Sequence, residues 1–353
     1  MRKPYLDNIR WITILLVVVY HVFYIYNASG VAGGIGSFAE TQGQDAVMYL
    51  VYPWFMLALF VVSGMSARFS LQSRSHKAFL KSRTQKLLLP STVGVLLFGW
   101  ALGYFNLRIG GGWEAMQAVP KPVLYLILCV SGTGPLWFLQ LLWIYAVLLV
   151  LFRKVEKDRL WRHCTTAGPV AFVFMGVLLY AGSFIGNMPV VTVYRCGFYG
   201  VGFFLGYLVF SHEETIDRLQ RWWRILGAAA LILGAAFTAI FWKKPFTDHA
   251  VLDSPLGVAY AWVATLAVLA FAKQVLNFET PVTHFLRKQT WGLYLFHYLP
   301  LAACAYFISP TSLPVLVKYL VTAIAAFGGA EILYSVFSRI PGVRVCLCGI
   351  SGK

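Results

Sequence analysis

The sequence is dominated by ten apolar stretches of roughly 20 residues, the length that a helix needs to cross the hydrocarbon core of a bilayer. Their apolar residues are consecutive rather than alternating, which favours transmembrane helices over barrel strands. Only 12% of the 353 residues are charged, against about 25% in soluble proteins. We therefore predict an all-α integral membrane protein, a bundle of about ten transmembrane helices, at residues 9–28, 46–69, 88–106, 135–152, 168–186, 192–210, 225–242, 255–275, 290–309 and 313–337.

The distribution of lysine and arginine predicts the orientation of this bundle. Cytoplasmic loops of membrane proteins are enriched in both residues. With the N-terminus inside, only Arg108, Lys121, Lys243 and Lys244 fall in outer loops. We therefore expect both termini in the cytoplasm, and we interpret the net charge of +16 as a consequence of topology rather than of nucleic-acid binding.

The loops are too short to hold a second soluble domain, so we predict one membrane domain over residues 1–353. Residues 122–131 are apolar but short, and they lie between Pro120 and the glycine-rich turn 131–135. We expect an interfacial or re-entrant helix there rather than a full crossing. The six cysteines show no metal-ligand spacing, and we predict no metal site.

Two polar side chains interrupt the first apolar stretch, Arg10 and His21. Eleven residues at about 100° each place them within about 20° of one face of a helix, about 16 Å apart along its axis. Ionisable groups inside a membrane are costly and usually face a protein or water-filled interior. This stripe is therefore the first candidate for an active site.

For both residues, a functional and a structural interpretation stay open. An imidazole exchanges protons near neutral pH, so His21 is either a general base or a structural histidine bonded to a neighbouring helix. Arg10 either holds a phosphate or stabilises developing charge, or it pairs with Asp7 and fixes the end of the helix.

Further polar residues need partners or roles. Arg83 and Lys86 are three residues apart before the third stretch, where two cations on one helix face would suit a phosphorylated cytosolic ligand. Trp137 is either an interfacial anchor or part of the site, and His297 either lines the same cavity as His21 or packs structurally. Arg195 and Glu331 lie in or at the ends of apolar stretches, and the sequence names no partner for either.

The chain resembles acyltransferase family 3, a family of membrane O-acyltransferases. The most specific similarity is Arg10 followed by His21 within the opening Leu6-Asp7-Asn8-Ile9-Arg10-Trp11. Residues 60–64 (FVVSG), 135–139 (PLWFL), 203–206 (FFLG) and 293–297 (LYLFH) with Pro300 also fit. The family often has Arg-x-x-Arg before the third helix, where this chain has Arg83 and Lys86.

The resemblance implies that acyl-CoA, as acetyl-CoA or succinyl-CoA, binds from the cytoplasm near Arg83, Lys86, Arg68 and Arg10. It implies that His21 is the catalytic base and Arg10 its catalytic partner. A hydroxyl acceptor, such as a glycan of the cell envelope, would approach from the other side, where Trp137, Arg195, His297 and Glu331 are candidates for cavity-lining residues. The expected location is the bacterial plasma membrane, surrounded by lipid.

Two other classes of function stay open at this point. A proton-coupled secondary transporter would use buried Arg, His and Glu residues as a proton relay, although the two halves of the chain show no repeat. A non-catalytic sensor or membrane anchor with the same fold is the third possibility.

Overall fold

We describe a computed structural model of the chain, which covers residues 3–29, 35, 41–188 and 193–349. Arg2, Lys353 and Thr192, the first residue of the sixth predicted stretch, lie outside the described residues. Every named element among the described residues is helical. The helices are α1 Pro4–Tyr24, α2 Ala46–Gln72, α3 His76–Arg83, α4 Leu89–Gly94, α5 Trp100–Ile109, α6 Trp113–Met116, α7 Lys121–Ser131, α8 Trp137–Glu156, α9 Arg159–His163, α10 Pro169–Gly182, α11 Cys196–Leu205, α12 Glu213–Arg221, α13 Trp223–Phe241, α14 His249–Leu252, α15 Pro255–Val275, α16 Pro281–Phe296, α17 Tyr298–Ile308, α18 Val315–Arg339 and α19 Val343–Cys346.

Seven helical segments of the described chain are long and apolar enough to cross a membrane. An eighth is formed by α16 and α17, which meet at a bend of 56°. This confirms a helical membrane protein. The fifth and sixth predicted stretches form the shorter apolar helices α10 and Cys196–Phe210, so the count of ten crossings and the side of the termini stay predictions.

The short apolar stretch at 122–131 forms α7, a helix of 11 residues. At about 1.5 Å per residue it spans about 16 Å, roughly half of a hydrocarbon core. Its length fits the predicted interfacial or re-entrant segment.

By its internal contacts the chain divides into two compact units. Unit 1 is Met1–Thr13, Met48–Lys81 and Ile144–Arg287, and unit 2 is Ile14–Val47, Ser82–Trp143 and Lys288–Lys353. We describe each unit by itself, and the single membrane domain stays a prediction.

In unit 1, two glycines allow α2 and α11 to pack backbone against backbone. A Cβ atom on Gly64 would overlap the carbonyl of Phe203, and one on Gly206 would overlap the carbonyl of Val61. Small residues at helix contacts serve this purpose in membranes, where apolar burial gives little drive for helix association. The motifs at 60–64 and 203–206 are therefore two sides of one helix contact.

Unit 2 has glycines at two helix contacts, between α5 and α7 and between α17 and α18. A Cβ atom on Gly103 would overlap the carbonyl of Leu128. One on Gly329 of α18 would lie 2.5 Å from the Cβ of Pro300 in α17. Pro300 also accounts for the bend before it, because it lacks an N–H for the helical bond to Phe296 and its ring crowds that carbonyl.

Candidate active site

His21 lies near the end of α1 in unit 2, and its ring is in contact with His297. Its Nδ1 is 3.1 Å from the Nε2 of His297. The ring of Tyr298 lies 4.7 Å away between centroids, and the ring of Tyr20 lies 5.2 Å away. His21 as a residue is partly exposed, and the rings of His297, Tyr298 and Tyr20 lie around its imidazole.

His297 occupies the bend between α16 and α17 and is fully buried. Its Nδ1 is 2.9 Å from the carbonyl oxygen of Leu293 and 3.0 Å from that of Tyr294. The structure thus brings together two histidines that are far apart in the sequence, and it satisfies both ring nitrogens of His297 within unit 2.

The segment around Trp137 also belongs to unit 2. Trp137 is the first residue of α8. Two residues earlier, the carbonyl of Pro135 accepts a hydrogen bond from the hydroxyl of Tyr294, and Phe138 packs on the same tyrosine at 6.0 Å between centroids. The turn before α8 is therefore tied to α16 less than one helical turn from His297.

Arg10 lies on the same helix as His21, but in unit 1. Its Nη1 is 2.7 Å from Oδ1 of Asp7, and its Nη2 donates to the hydroxyl of Ser66. Asp7 therefore orients Arg10, as the sequence interpretation allowed. That Arg10 and His21 act on one substrate stays a prediction.

The opening of α1 also has a structural role that the sequence did not reveal. The Nδ2 of Asn8 donates to the carbonyls of Leu276 and Phe278, at 2.6 and 2.9 Å, while its Oδ1 accepts from the indole of Trp11. Asn8 is buried. These bonds fix the start of α1 to the chain segment that follows α15.

Arg83 ends α3 and Lys86 lies in a π-helical turn, Thr84–Leu88. Lys86 is exposed, and Trp143 anchors the turn by donating to the hydroxyl of Thr84 at 3.0 Å. A π turn holds more residues than an α turn, so it separates residues three apart more widely around the axis. The predicted shared face of Arg83 and Lys86 is thus looser than α-helical spacing suggests, although π turns often occur at functional sites.

Arg68 is occupied by partners within unit 1. Its guanidinium is 2.7 Å from Oδ1 of Asp158, 3.1 Å from the hydroxyl of Tyr207 and 3.7 Å above the ring of Trp161. Asp158 also receives two bonds from Arg153, at 3.0 and 3.2 Å. Burial raises the pKa of Asp158, but the hydrogen bonds and charges of Arg153 and Arg68 outweigh it, so the net pKa lies below the usual value. This geometry gives no support to a role of Arg68 in binding acyl-CoA.

Arg195 also has its partner, which the sequence could not name. Its Nε and Nη2 are 3.0 and 2.5 Å from Oδ1 of Asp253, and its charge lies 3.9 Å above the ring of Phe198. Asp253 further accepts from Asn187 and His249. Arg195 is only 1% exposed, so the predicted cavity-lining role lacks support for this residue.

Glu331 lies in α18 of unit 2 with partial exposure and has no ion pair in the part of the chain that the structure describes. A groove of about 620 Å³ runs between α1 and the first half of α18. It is lined by apolar residues such as Val19, Phe23 and Leu316, with Gln42 and Gln44 beside it, and it includes neither His21 nor Glu331. The predicted shared cavity of Glu331 and His21 stays a prediction.

These observations define a multi-pass helical membrane protein with a pair of histidines inside one of its units. The chain belongs to acyltransferase family 3, whose model, an acyltransferase domain, matches residues 3–335. The resemblance stated from the sequence is thereby confirmed over nearly the whole chain. Searches among curated proteins and among solved structures found no match.

Proposed function

We propose that this protein is a membrane O-acyltransferase that moves an acetyl or succinyl group from cytosolic acyl-CoA to a hydroxyl of an extracytoplasmic carbohydrate. The observation that carries the proposal is the His21 ring, within hydrogen-bond distance of His297, in a chain that belongs to an acyltransferase family. An acyl-transfer reaction needs a base of this kind, within reach of the acceptor hydroxyl.

The proposed step is general-base catalysis by His21. A ring nitrogen of His21 takes the proton of the acceptor hydroxyl while the oxygen attacks the thioester carbonyl. The carbon–sulfur bond then breaks, and the CoA sulfur takes the proton back from the imidazolium. The products are the ester and free CoA, and His21 returns to its neutral form. A site poor in water limits hydrolysis of the thioester.

The basic side chains have separate binding roles in this proposal. Arg83 and the exposed Lys86 lie at a predicted cytoplasmic boundary and bind the phosphates of CoA. Arg10, oriented by Asp7, is a candidate for binding a phosphate of CoA, the other role that the sequence interpretation allowed. Trp137 belongs to the acceptor side of the site. Arg68 and Arg195 are left out of the chemistry because each is already bound to a carboxylate.

The decisive experiment compares His21→Ala with His163→Ala in membrane vesicles that contain the protein. His163 is an exposed histidine on α9, so its loss controls for a general effect of removing an imidazole. We expect His21→Ala to lower transfer of labelled acyl groups to glycans by at least about a hundredfold, and His163→Ala to leave it unchanged. Both variants should unfold at the wild-type temperature in detergent.

Undiminished transfer by His21→Ala would remove the base from the proposal. Mass spectrometry of envelope glycans from cells with and without the protein identifies the acyl group and the acceptor. If solute uptake into proteoliposomes proceeds without acyl-CoA and no glycan is acylated, the transporter hypothesis replaces this one.

A further inference from the structure

The hydrogen-bond partners of His297 determine where its ring proton lies. Nδ1 of His297 faces two backbone carbonyl oxygens, those of Leu293 and Tyr294, at 2.9 and 3.0 Å. A carbonyl oxygen only accepts, so Nδ1 must carry the hydrogen. A neutral imidazole has one N–H, and a fully buried ring without a carboxylate partner in the described chain is neutral, because burying an unpaired charge is costly. The Nε2 of His297 therefore presents a lone pair.

The same reasoning extends to His21. Nε2 of His297 and Nδ1 of His21 are 3.1 Å apart, and one hydrogen must lie between them for a bond to form. Because Nε2 of His297 is bare, the hydrogen of this bond belongs to Nδ1 of His21, whose ring also hydrogen-bonds with the backbone of Val17 one turn earlier in α1. A neutral His21 then has its own Nε2 unprotonated. The nitrogen that is protonated in an imidazole is set by the bond that the other nitrogen makes.

We propose that His297 is a positioning residue that selects the Nδ1–H tautomer of His21 and leaves Nε2 as the nitrogen that accepts the acceptor's proton. This inference rests on the proposed function of His21 as a base. After the proton arrives, the Nδ1–H of the imidazolium stays bonded to His297, so the ring keeps one orientation through the whole step. A pair of backbone carbonyls thus controls the base through two imidazoles.

The bend between α16 and α17 positions the His297 ring for its hydrogen bond with His21. The helical bond from the N–H of His297 to Leu293 is intact, at 3.1 Å, while the chain turns by 56° at this residue. The ring therefore projects from a rigid turn, fixed by the carbonyls at its own base. Tyr298, the next residue, closes the other side of His21 at 4.7 Å between ring centroids.

Two substitutions of His297 separate the acceptor role from the packing role. His297→Gln keeps an oxygen acceptor near the position of Nε2, whereas His297→Phe keeps a ring and removes the acceptor. We expect His297→Phe to lower kcat about a hundredfold or more, as the loss of an orienting partner does in other histidine-based sites, with KM for acyl-CoA unchanged. His297→Gln should retain at least about a tenth of kcat. His163→Gln serves as the control for a change from histidine to glutamine.

Nitrogen NMR of the protein labelled with ¹⁵N-histidine reads the tautomer directly. In the wild-type protein we expect a protonated Nδ1 and a bare Nε2 on His21, and in His297→Phe a shift of the proton toward Nε2. A protonated Nε2 on wild-type His21 would overturn the inference even if neither variant folds.

The kinetic outcomes distinguish this inference from the proposed function. If His21→Ala is inactive but His297→Phe turns over at the wild-type rate, the positioning role is wrong and the base stands. If His21→Ala is active, the proposed function fails, and a loss of activity in His297→Phe then reflects packing rather than positioning.

Discussion

Arg68 and Arg83 carry the same charge, but the structure gives them very different surroundings. The guanidinium of Arg68 is buried against Trp161 and bound to Asp158. Arg83 lies half-buried at the start of a π turn, next to the exposed Lys86. A buried cation with a carboxylate partner holds helices together, whereas a cation at a membrane edge is able to meet a phosphate.

We therefore expect Arg68→Ala to lower mainly the stability of the protein and Arg83→Ala to weaken mainly its binding of acyl-CoA. Arg68→Ala leaves the carboxylate of Asp158 with one partner fewer and should cost about 3 kcal/mol of stability, seen as a lower unfolding temperature in detergent. Arg83→Ala, at a less buried position, should lower the unfolding temperature less than Arg68→Ala does and raise KM for acyl-CoA roughly tenfold, for the loss of one charge-assisted bond to phosphate.

Unfolding curves and initial rates at varied acyl-CoA concentrations check both expectations. An unchanged KM in Arg83→Ala would return this arginine to the role of a topology determinant. A raised KM in Arg68→Ala with normal stability would restore the acyl-CoA role that the geometry disfavours.

At the scale of helices, close packing decides where the candidate site residues lie. Gly329 of α18 is in contact with Pro300 of α17, three residues after His297. The neighbouring Gly328 faces open space, with no atom within 4 Å of the position of a Cβ. The two adjacent glycines therefore form a matched pair, because the same methyl group meets a proline ring at one and nothing at the other.

Gly329→Ala should displace α17 and disturb the contact between His297 and His21. We expect it to cost about 1–3 kcal/mol of stability through overpacking and to lower acyl transfer. Gly328→Ala should be neutral or stabilise the helix by up to about 1 kcal/mol, the difference in helix propensity between alanine and glycine. The unfolding temperature and the rate of acyl transfer, measured on both variants, test this expectation. Equal stability and equal rates in the two variants would contradict this account of α17–α18 packing.

For the whole molecule, the predicted orientation in the membrane remains the largest open prediction. The proposed division of substrates, with acyl-CoA inside and glycan outside, depends on it. Ser73 follows α2 and Ser312 precedes α18, and both are exposed. The positive-inside distribution predicts Ser73 on the cytoplasmic side and Ser312 on the outer side.

Single cysteines at these two positions, in an otherwise cysteine-free chain, test the orientation. A membrane-impermeant maleimide added to intact cells should label Ser312→Cys at once and Ser73→Cys only after permeabilisation. Labelling in the reverse order would invert the bundle, and labelling of both from outside would change the number of crossings between them.

Much of the fold was predictable because its cause is local. Consecutive apolar residues predict membrane helices, and prolines and glycines predicted that α7 is short. The 56° bend at His297 was only partly predictable, since Pro300 indicates a kink but not its size. The lengths of α10 and α11 were not predictable, because caps and tertiary packing rather than hydropathy set where those helices end.

The candidate site divides in the same way. Helical spacing alone places Arg10 and His21 on one face of one helix, because the period of the α-helix sets that angle. The folded chain was needed to show that His297 is the partner of His21, that Asp253 is the partner of Arg195 and that Asp158 is the partner of Arg68. Each of these pairs joins residues far apart in the chain, and helical periodicity carries no information about which distant helix comes to lie beside a given face.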